Sequence, residues 1–164
     1  MENLGKELFE VVITAIVFKE GKYLILQRSR HEKKFPLWWT VPGGKLNTED
    51  YVHRPKDTPK YWYNVLEKTL RREVKEEAGI KIKNIYYVTS LADARPDRDP
   101  SLVISCMADY AGGKIKLEKG MIDHRWVTVK KVKNIKLIDG IYEELIMADN
   151  LRKGNKMREW GKSR

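Results

Sequence analysis

The segment "LRREVKEEAGI", residues 70–80, decides how this chain is read. Glu73, Glu76 and Glu77 stand at i, i+3 and i+4, so a helix places all three carboxylates on one side. Val74 and Ala78 then point elsewhere, toward a core. Three like charges on one face repel, and they crowd the C-terminal end of the helix, where the macrodipole disfavours acids. Two explanations stay open at this point. Arg72, Lys75 and neighbouring basic side chains neutralise a solvated face, or a hard divalent cation such as Mg²⁺ is held by the oxygens together with substrate phosphates. Gly79 supplies the left-handed residue that ends a helix.

Upstream, "DTP" (57–59) reads as a helix start, with Thr58 as N-cap and Pro59 in the first helical position. Trp62, Leu66, Leu70 and Val74 form an apolar stripe, so a helix is predicted from about Pro59 to Ala78. Val11–Phe18 predicts a strand covered on both faces, Lys19–Lys22 a turn, and "YLILQRS" (23–29) the second strand of a hairpin. His31–Gly44 predicts a loop with a short extended piece before the Pro42-Gly43-Gly44 turn. Downstream, strands are predicted at Ile82–Ser90, Leu102–Tyr110, Lys114–Leu117 and His124–Val129, and a final helix from about Asp139 to Leu151. Strands around one central helix, with a second helix at the end, imply an α/β fold: a mixed sheet with helices packed on it.

The chain has 164 residues, 41% of them apolar and 34% charged, which excludes a disordered polymer and allows one domain with a substantial core. The longest apolar run, Val11–Phe18, is too short to span a bilayer. No basic-then-apolar leader opens the chain, so no secretion signal is expected. One cysteine, Cys106, excludes a disulfide within the chain and points to a reducing cytoplasm. The net charge is +10, and a positive surface attracts phosphates. The tail "LRKGNKMREWGKSR" (151–164) carries six basic residues against Glu159. It is expected as a solvated basic end over 152–164, with a weak nucleic-acid contact as its functional alternative, after a domain over 1–151.

Arg72-Glu73-Val74-Lys75-Glu76-Glu77-Ala78-Gly79-Ile80 is the complete second half of a known box, Arg-Glu-aliphatic-x-Glu-Glu-x-Gly-aliphatic. A chance match in this length is on the order of 10⁻⁵ at average residue usage. Trp39, Val41, Pro42, Gly43 and Gly44 match the Trp-x-aliphatic-Pro-Gly-Gly approach to that box. In these motifs the chain resembles the Nudix hydrolase family, over roughly Val11 to Leu151. The resemblance implies an α/β/α sandwich, with a mixed sheet between helices. It implies hydrolysis of a nucleoside diphosphate linked to another group, X, by water attack on the pyrophosphate. It further implies that Glu73, Glu76 and Glu77 hold Mg²⁺ or Mn²⁺, that the Gly44 carbonyl adds a ligand, and that Arg72 orients the carboxylates. Many relatives are dimers, so a homodimer is one implied assembly.

The first half of the box departs from the pattern. Gly44 and Arg72 are 28 positions apart, where the family pattern has 14. Counting forward from Gly44 puts Asp50 at the first box acid; counting back from Arg72 puts Asn64 there. The insertion, about Glu49–Tyr61, mixes His53, Arg54, Lys56 and Lys60 with Tyr51 and Tyr61. It reads either as an elongated helix with a packed surface loop or as a substrate-contacting flap. For the general base the resemblance leaves open a box glutamate (Glu73 or Glu76) or a later acid, Asp123 or Glu118, with Asp123 preferred.

The segment "RPDRDPSLVIS" (95–105) matches, through Pro96, Arg98, Asp99, Pro100 and Ser105, an outline common in ADP-ribose pyrophosphatases of the family. Its alternative is a rigid turn between strands. Arg98, Trp39 and Arg28 are the candidate substrate-binding residues. ADP-ribose or a nucleotide sugar is the first expected substrate. Nucleotide-pool sanitising, hydrolysis of RNA 5′ ends and non-catalytic nucleotide sensing are the alternatives.

Overall fold

Strand β1 (Glu10–Lys19) runs through the middle of the molecule and feeds two cores at once. Ile13, Ala15 and Val17 enter one core, and Ile16 enters the other. In β2 (Lys22–Arg28), Leu24 and Leu26 join the first core while Tyr23 and Ile25 join the second. Successive side chains of a strand point to opposite faces, so a continuous apolar run marks a sheet covered on both sides. Helix α1 (Val65–Ala78) covers the first face through Leu70, Val74 and Ala78. Helix α3 (Ile141–Arg152) covers the second through Ile141, Leu145 and Ala148, and the short α2 (Val129–Val132) adds Val132. This is the helix–sheet–helix sandwich expected. The protein is described here by a computed structural model, over residues 8–161.

The strand order is β3 (Trp39–Thr40), β2, β1, β6 (Arg98–Gly112), β5 (Lys81–Arg95). Two further strands sit off this path: β4 (Gly43–Lys45) pairs with β1, and β7 (Met121–Val127) with β2. The β1–β6 pair is parallel, from Glu10↔Ser101 to Phe18↔Asp109, and the other pairs are antiparallel, so the sheet is mixed. A polar chain crosses the second core. Thr14 Oγ1 donates to Ser105 Oγ at 3.2 Å, and Ser105 Oγ donates to Glu144 Oε2 at 2.9 Å. Burial raises the Glu144 carboxyl pKa, and the Ser105 bond partly opposes that.

Five elements depart from the sequence reading. Helix α1 starts at Val65, with Asn64 at its N-cap, and not at Pro59. Thr58 Oγ1 accepts from the Lys60 and Tyr61 N–H groups at 3.3 and 2.9 Å, so it closes a local turn in place of capping a helix. Trp62 leaves the helical stripe because its indole N–H donates to the Arg54 carbonyl at 2.9 Å and its ring packs on Tyr51. Strands β5 and β6 are longer than expected and meet at a tight turn around Pro96-Asp97, with Arg95 opposite Arg98. Lys114–Leu117 is not a strand, and Val129 opens a helix after Thr128, whose side chain caps it.

The basic tail is exposed from Lys153 to Gly161 and turns back on the molecule. The Asn155 N–H donates to the Asn150 carbonyl at 3.1 Å, turning the chain back at the end of α3. Trp160 then lies over Gly140 and lines a hollow with Thr89, Ser90, Leu91 and Glu144. Residues 162–164 lie outside the described range.

Candidate active site

Two glycines let the acid helix lie directly on β4. Gly43 and Gly44 stand opposite Thr14 and Ile13 of β1. A Cβ on Gly43 would meet the Ile13 carbonyl oxygen at 2.4 Å. A Cβ on Gly44 would sit 2.2 Å from the Glu73 carboxylate carbon. Only bare backbone fits between β1 and the helix here. The Gly43 N–H donates to Glu77 Oε2 at 2.9 Å, so the turn also binds the last acid of the helix.

Arg72 gathers the other acids. Its Nε donates to Asp50 Oδ1 at 2.5 Å and its Nη2 to Asp50 Oδ2 at 3.1 Å, a bidentate fork. Its Nη1 lies 2.9 Å from both Glu73 Oε1 and Glu76 Oε2. Asp50 also accepts from Thr69 Oγ1 and the Asn47 N–H. Burial alone would push the Asp50 carboxyl up; the Arg72 bond, with Asn47 and Thr69 behind it, outweighs burial and holds it below the ordinary carboxylate range. The register question is thereby answered. The forward count from Gly44 finds the acid that meets Arg72, and the additional residues form the stretch 51–64 that follows Asp50. Asn64 stands at the N-cap position without a side-chain capping bond.

The charge on this face is not balanced. Burial raises the Glu73 carboxyl, with Arg72 opposing it. Burial pushes Glu77 up to about 8; the Gly43 N–H opposes this, and the nearby Glu118 and Glu73 charges add to it. The segment 114–118 is pressed on the end of α1: Lys116 N–H donates to the Ala78 carbonyl at 3.0 Å and Glu118 N–H to the Glu77 carbonyl at 3.2 Å. These N–H groups satisfy free carbonyls of the helix terminus, which is why the segment does not pair as a strand. Glu118, the less favoured of the two later acids, thus stands beside the acid cluster. It lines one hollow with Glu76, Lys75, Lys114 and Lys116.

The remaining candidates separate. Arg28 is close enough to Glu77 to lower its carboxyl slightly, and its Nη2 is paired with Glu32 at 3.0 Å. Trp39 is 5% exposed and belongs to the second core, with the Arg125 guanidinium 4.5 Å above its ring. It packs as a core side chain and leaves no free face for a substrate. Asp123 lies on β7, accepts from the His124 N–H at 2.7 Å and faces Arg125, away from the acid helix. Arg98 pairs with Asp93 at the end of the β5–β6 hairpin, and Ser101 and Glu10 are its neighbours there. Among the described residues no hydrogen bond or ion pair joins Arg98 to α1. The site residue that the sequence reading left unsettled was Asp50; its signal was the preserved spacing from Gly44.

A divalent cation fits the chemistry of this donor set. The face offers hard carboxylate oxygens, and Glu77, with one N–H partner among the described residues, has a carboxyl whose ionisation is disfavoured by desolvation and would be favoured by a cation. Among the described residues no three His, Cys, Asp or Glu side chains already converge on one point. Arg72 draws Glu73 and Glu76 to itself, while Glu77 turns to Gly43.

The profile of the NUDIX domain matches residues 8–147. The chain is 30% identical over 151 residues to the NAD-capped RNA hydrolase NudC of Vibrio atlanticus, covering 90% of this chain and 48% of that protein. It is 47% identical over 115 residues to the enzyme of the same name from Erwinia tasmaniensis, covering 70% of this chain and 36% of that one. The chain thus spans less than half the length of these relatives. An ADP-ribose pyrophosphatase from Streptococcus suis superposes with a TM-score of 0.65 at 17% identity, covering 93% of this chain and 98% of that one, a likeness of fold.

Proposed function

The chain belongs to the NUDIX family, and we propose that it is a divalent-cation-dependent pyrophosphohydrolase whose substrate is a nucleoside diphosphate joined to a second nucleotide, as at a capped RNA 5′ end. The observation that carries this reading is the acid face of α1. One arginine joins Asp50, Glu73 and Glu76, and the adjoining, half-buried Glu77 has its carboxyl raised to about 8 by desolvation. The first expected substrate, ADP-ribose, is displaced to second place. Its supporting residue Arg98 is engaged by Asp93 at the hairpin, whereas relatives covering most of this chain are named for capped RNA. The net charge of +10 favours a polyanionic substrate. Among the described residues no helix is long and apolar enough to cross a membrane, and the free, buried Cys106 is consistent with a reducing cytoplasm.

Mg²⁺ or Mn²⁺, when bound, neutralises pyrophosphate oxygens and lowers the pKa of attacking water. Glu73, Glu76 and Glu77 would be its protein ligands on this reading, with the Gly44 carbonyl as a further one. Arg72 is a positioning residue: it fixes Glu73 and Glu76 and is itself fixed by Asp50. On this reading Glu118, which lines one hollow with Glu76, takes the proton of the attacking water. The water oxygen forms a bond to one phosphorus, and the bridging P–O bond breaks to release two phosphate esters.

The test is a panel of NAD, ADP-ribose, NTPs, 5′-triphosphate RNA and NAD-capped RNA with Mg²⁺ or Mn²⁺. Release of nicotinamide mononucleotide from NAD or from capped RNA supports the reading. Turnover confined to ADP-ribose moves the substrate to the second reading, and turnover confined to NTPs contradicts both.

A further inference from the structure

The stretch that follows Asp50 holds two aromatic rings out in solvent. Tyr61 is 60% exposed and Tyr63 57% exposed. Trp62 between them turns inward, with its ring 5.4 Å from Tyr51. The backbone beneath the rings is pinned. The Tyr61 carbonyl accepts from the Asp57 and Thr58 N–H groups, the Tyr61 N–H donates to Thr58 Oγ1, and the Tyr63 N–H donates to the Asp57 carboxylate at 2.8 Å. Neither phenol has a hydrogen-bond partner among the described residues. Folding thus fixes two rings that the core does not use.

The surroundings mix charges. Lys56 Nζ sits 4.9 Å over the Trp62 ring, Lys60 flanks Tyr61, and the Asp57 carboxylate lies at the Tyr63 N–H. Lysines next to exposed rings match a ligand that alternates phosphates and aromatic bases. The stretch is tied to the candidate active site at both ends, through Asp50 on Arg72 and through Asn64 at the start of α1. Val65 to Glu73 spans about 12 Å along a helix axis, and the two rings precede that helix in the chain.

We propose that Tyr61 and Tyr63 form a stacking platform for unpaired bases of an RNA strand whose 5′ pyrophosphate lies at the acid helix. The inference rests on the function proposed above for the place of the pyrophosphate, and it adds the part of the substrate that the relatives' names leave unlocated on this chain. Stacking on a ring face is tolerant of base identity, so the platform binds without sequence preference.

The test uses the full chain and a fluorescent, unstructured RNA of about ten nucleotides, with EDTA present to prevent turnover. Tyr61→Ala/Tyr63→Ala is compared with Tyr61→Phe/Tyr63→Phe, and both are also assayed for hydrolysis of free NAD in Mg²⁺. The alanine pair is expected to weaken RNA binding about tenfold or more. The phenylalanine pair is expected to bind like wild type, and both pairs to hydrolyse NAD at the wild-type rate. Equal RNA affinity of the alanine pair and wild type, or no RNA binding by wild type at low salt, overturns the platform. So does loss of self-association by the alanine pair with RNA affinity unchanged, which assigns the rings to a protein contact. If no pyrophosphate is hydrolysed but the alanine pair still loses RNA, the platform stands and the hydrolase reading falls. Hydrolysis with unaltered RNA affinity gives the reverse.

Discussion

Glu77 is the residue at which the candidate active site is least balanced. Its carboxyl is raised from about 4.5 to about 8 in the folded chain without cation. Between those values the folded state binds a proton that the unfolded state does not, so stability falls as pH rises through that window and is complete only below it. In EDTA the melting temperature is therefore expected to drop from pH 5 to pH 8, and Mg²⁺ at pH 8 is expected to recover it. Glu77→Gln should flatten both effects; thermal melts at the two pH values check this. Gly44 sets the position of Glu73, because a Cβ there would sit 2.2 Å from that carboxylate. Gly44→Ala is expected to cut turnover about 100-fold through misplacement, while leaving the circular dichroism spectrum unchanged. At this scale the sequence shows the acids plainly, since their spacing is a helical one. It does not show Trp39 as core or Asp123 as remote. Both lie on strands whose neighbours come from distant parts of the chain, Arg125 over the Trp39 ring and Gln27 beside Asp123.

Helix α1 shows what local pattern resolves and what it leaves open. Its end is legible: Gly79 has φ 75° and its N–H donates to the Lys75 carbonyl. Its start is not, because Trp62 fits the apolar stripe but is claimed by Arg54 and Tyr51, a tertiary choice that overrides periodicity. The docking of 114–118 was equally hidden, since its N–H groups serve helix carbonyls far away in the sequence. Gly79 is where these two features meet, as a Cβ there would approach Lys116 N at 2.8 Å. Gly79→Ala is expected to cost about 1–2 kcal/mol for the left-handed conformation alone, and more for the clash. The denaturant midpoint should fall, and turnover with it as Glu118 is displaced.

Across the whole molecule, the sandwich was readable because β1 and β2 are apolar without alternation, which requires cover on both faces. The folded-back tail was not, since a basic composition suits a solvated end as well as one in which Trp160 reaches Gly140. The two faces divide the work. The α3 side carries the buried Thr14–Ser105–Glu144 chain, and the α1 side carries the unbalanced acids. The central claim is that the α1 face hydrolyses pyrophosphate with a divalent cation. Its most direct measurement is NAD hydrolysis in Mg²⁺ by wild type, Glu76→Gln and Glu77→Gln, with melts in EDTA at pH 6 confirming that each is folded. A loss of about 10²-fold or more in kcat/KM for both variants is the expected result. Wild-type turnover by both folded variants would contradict it.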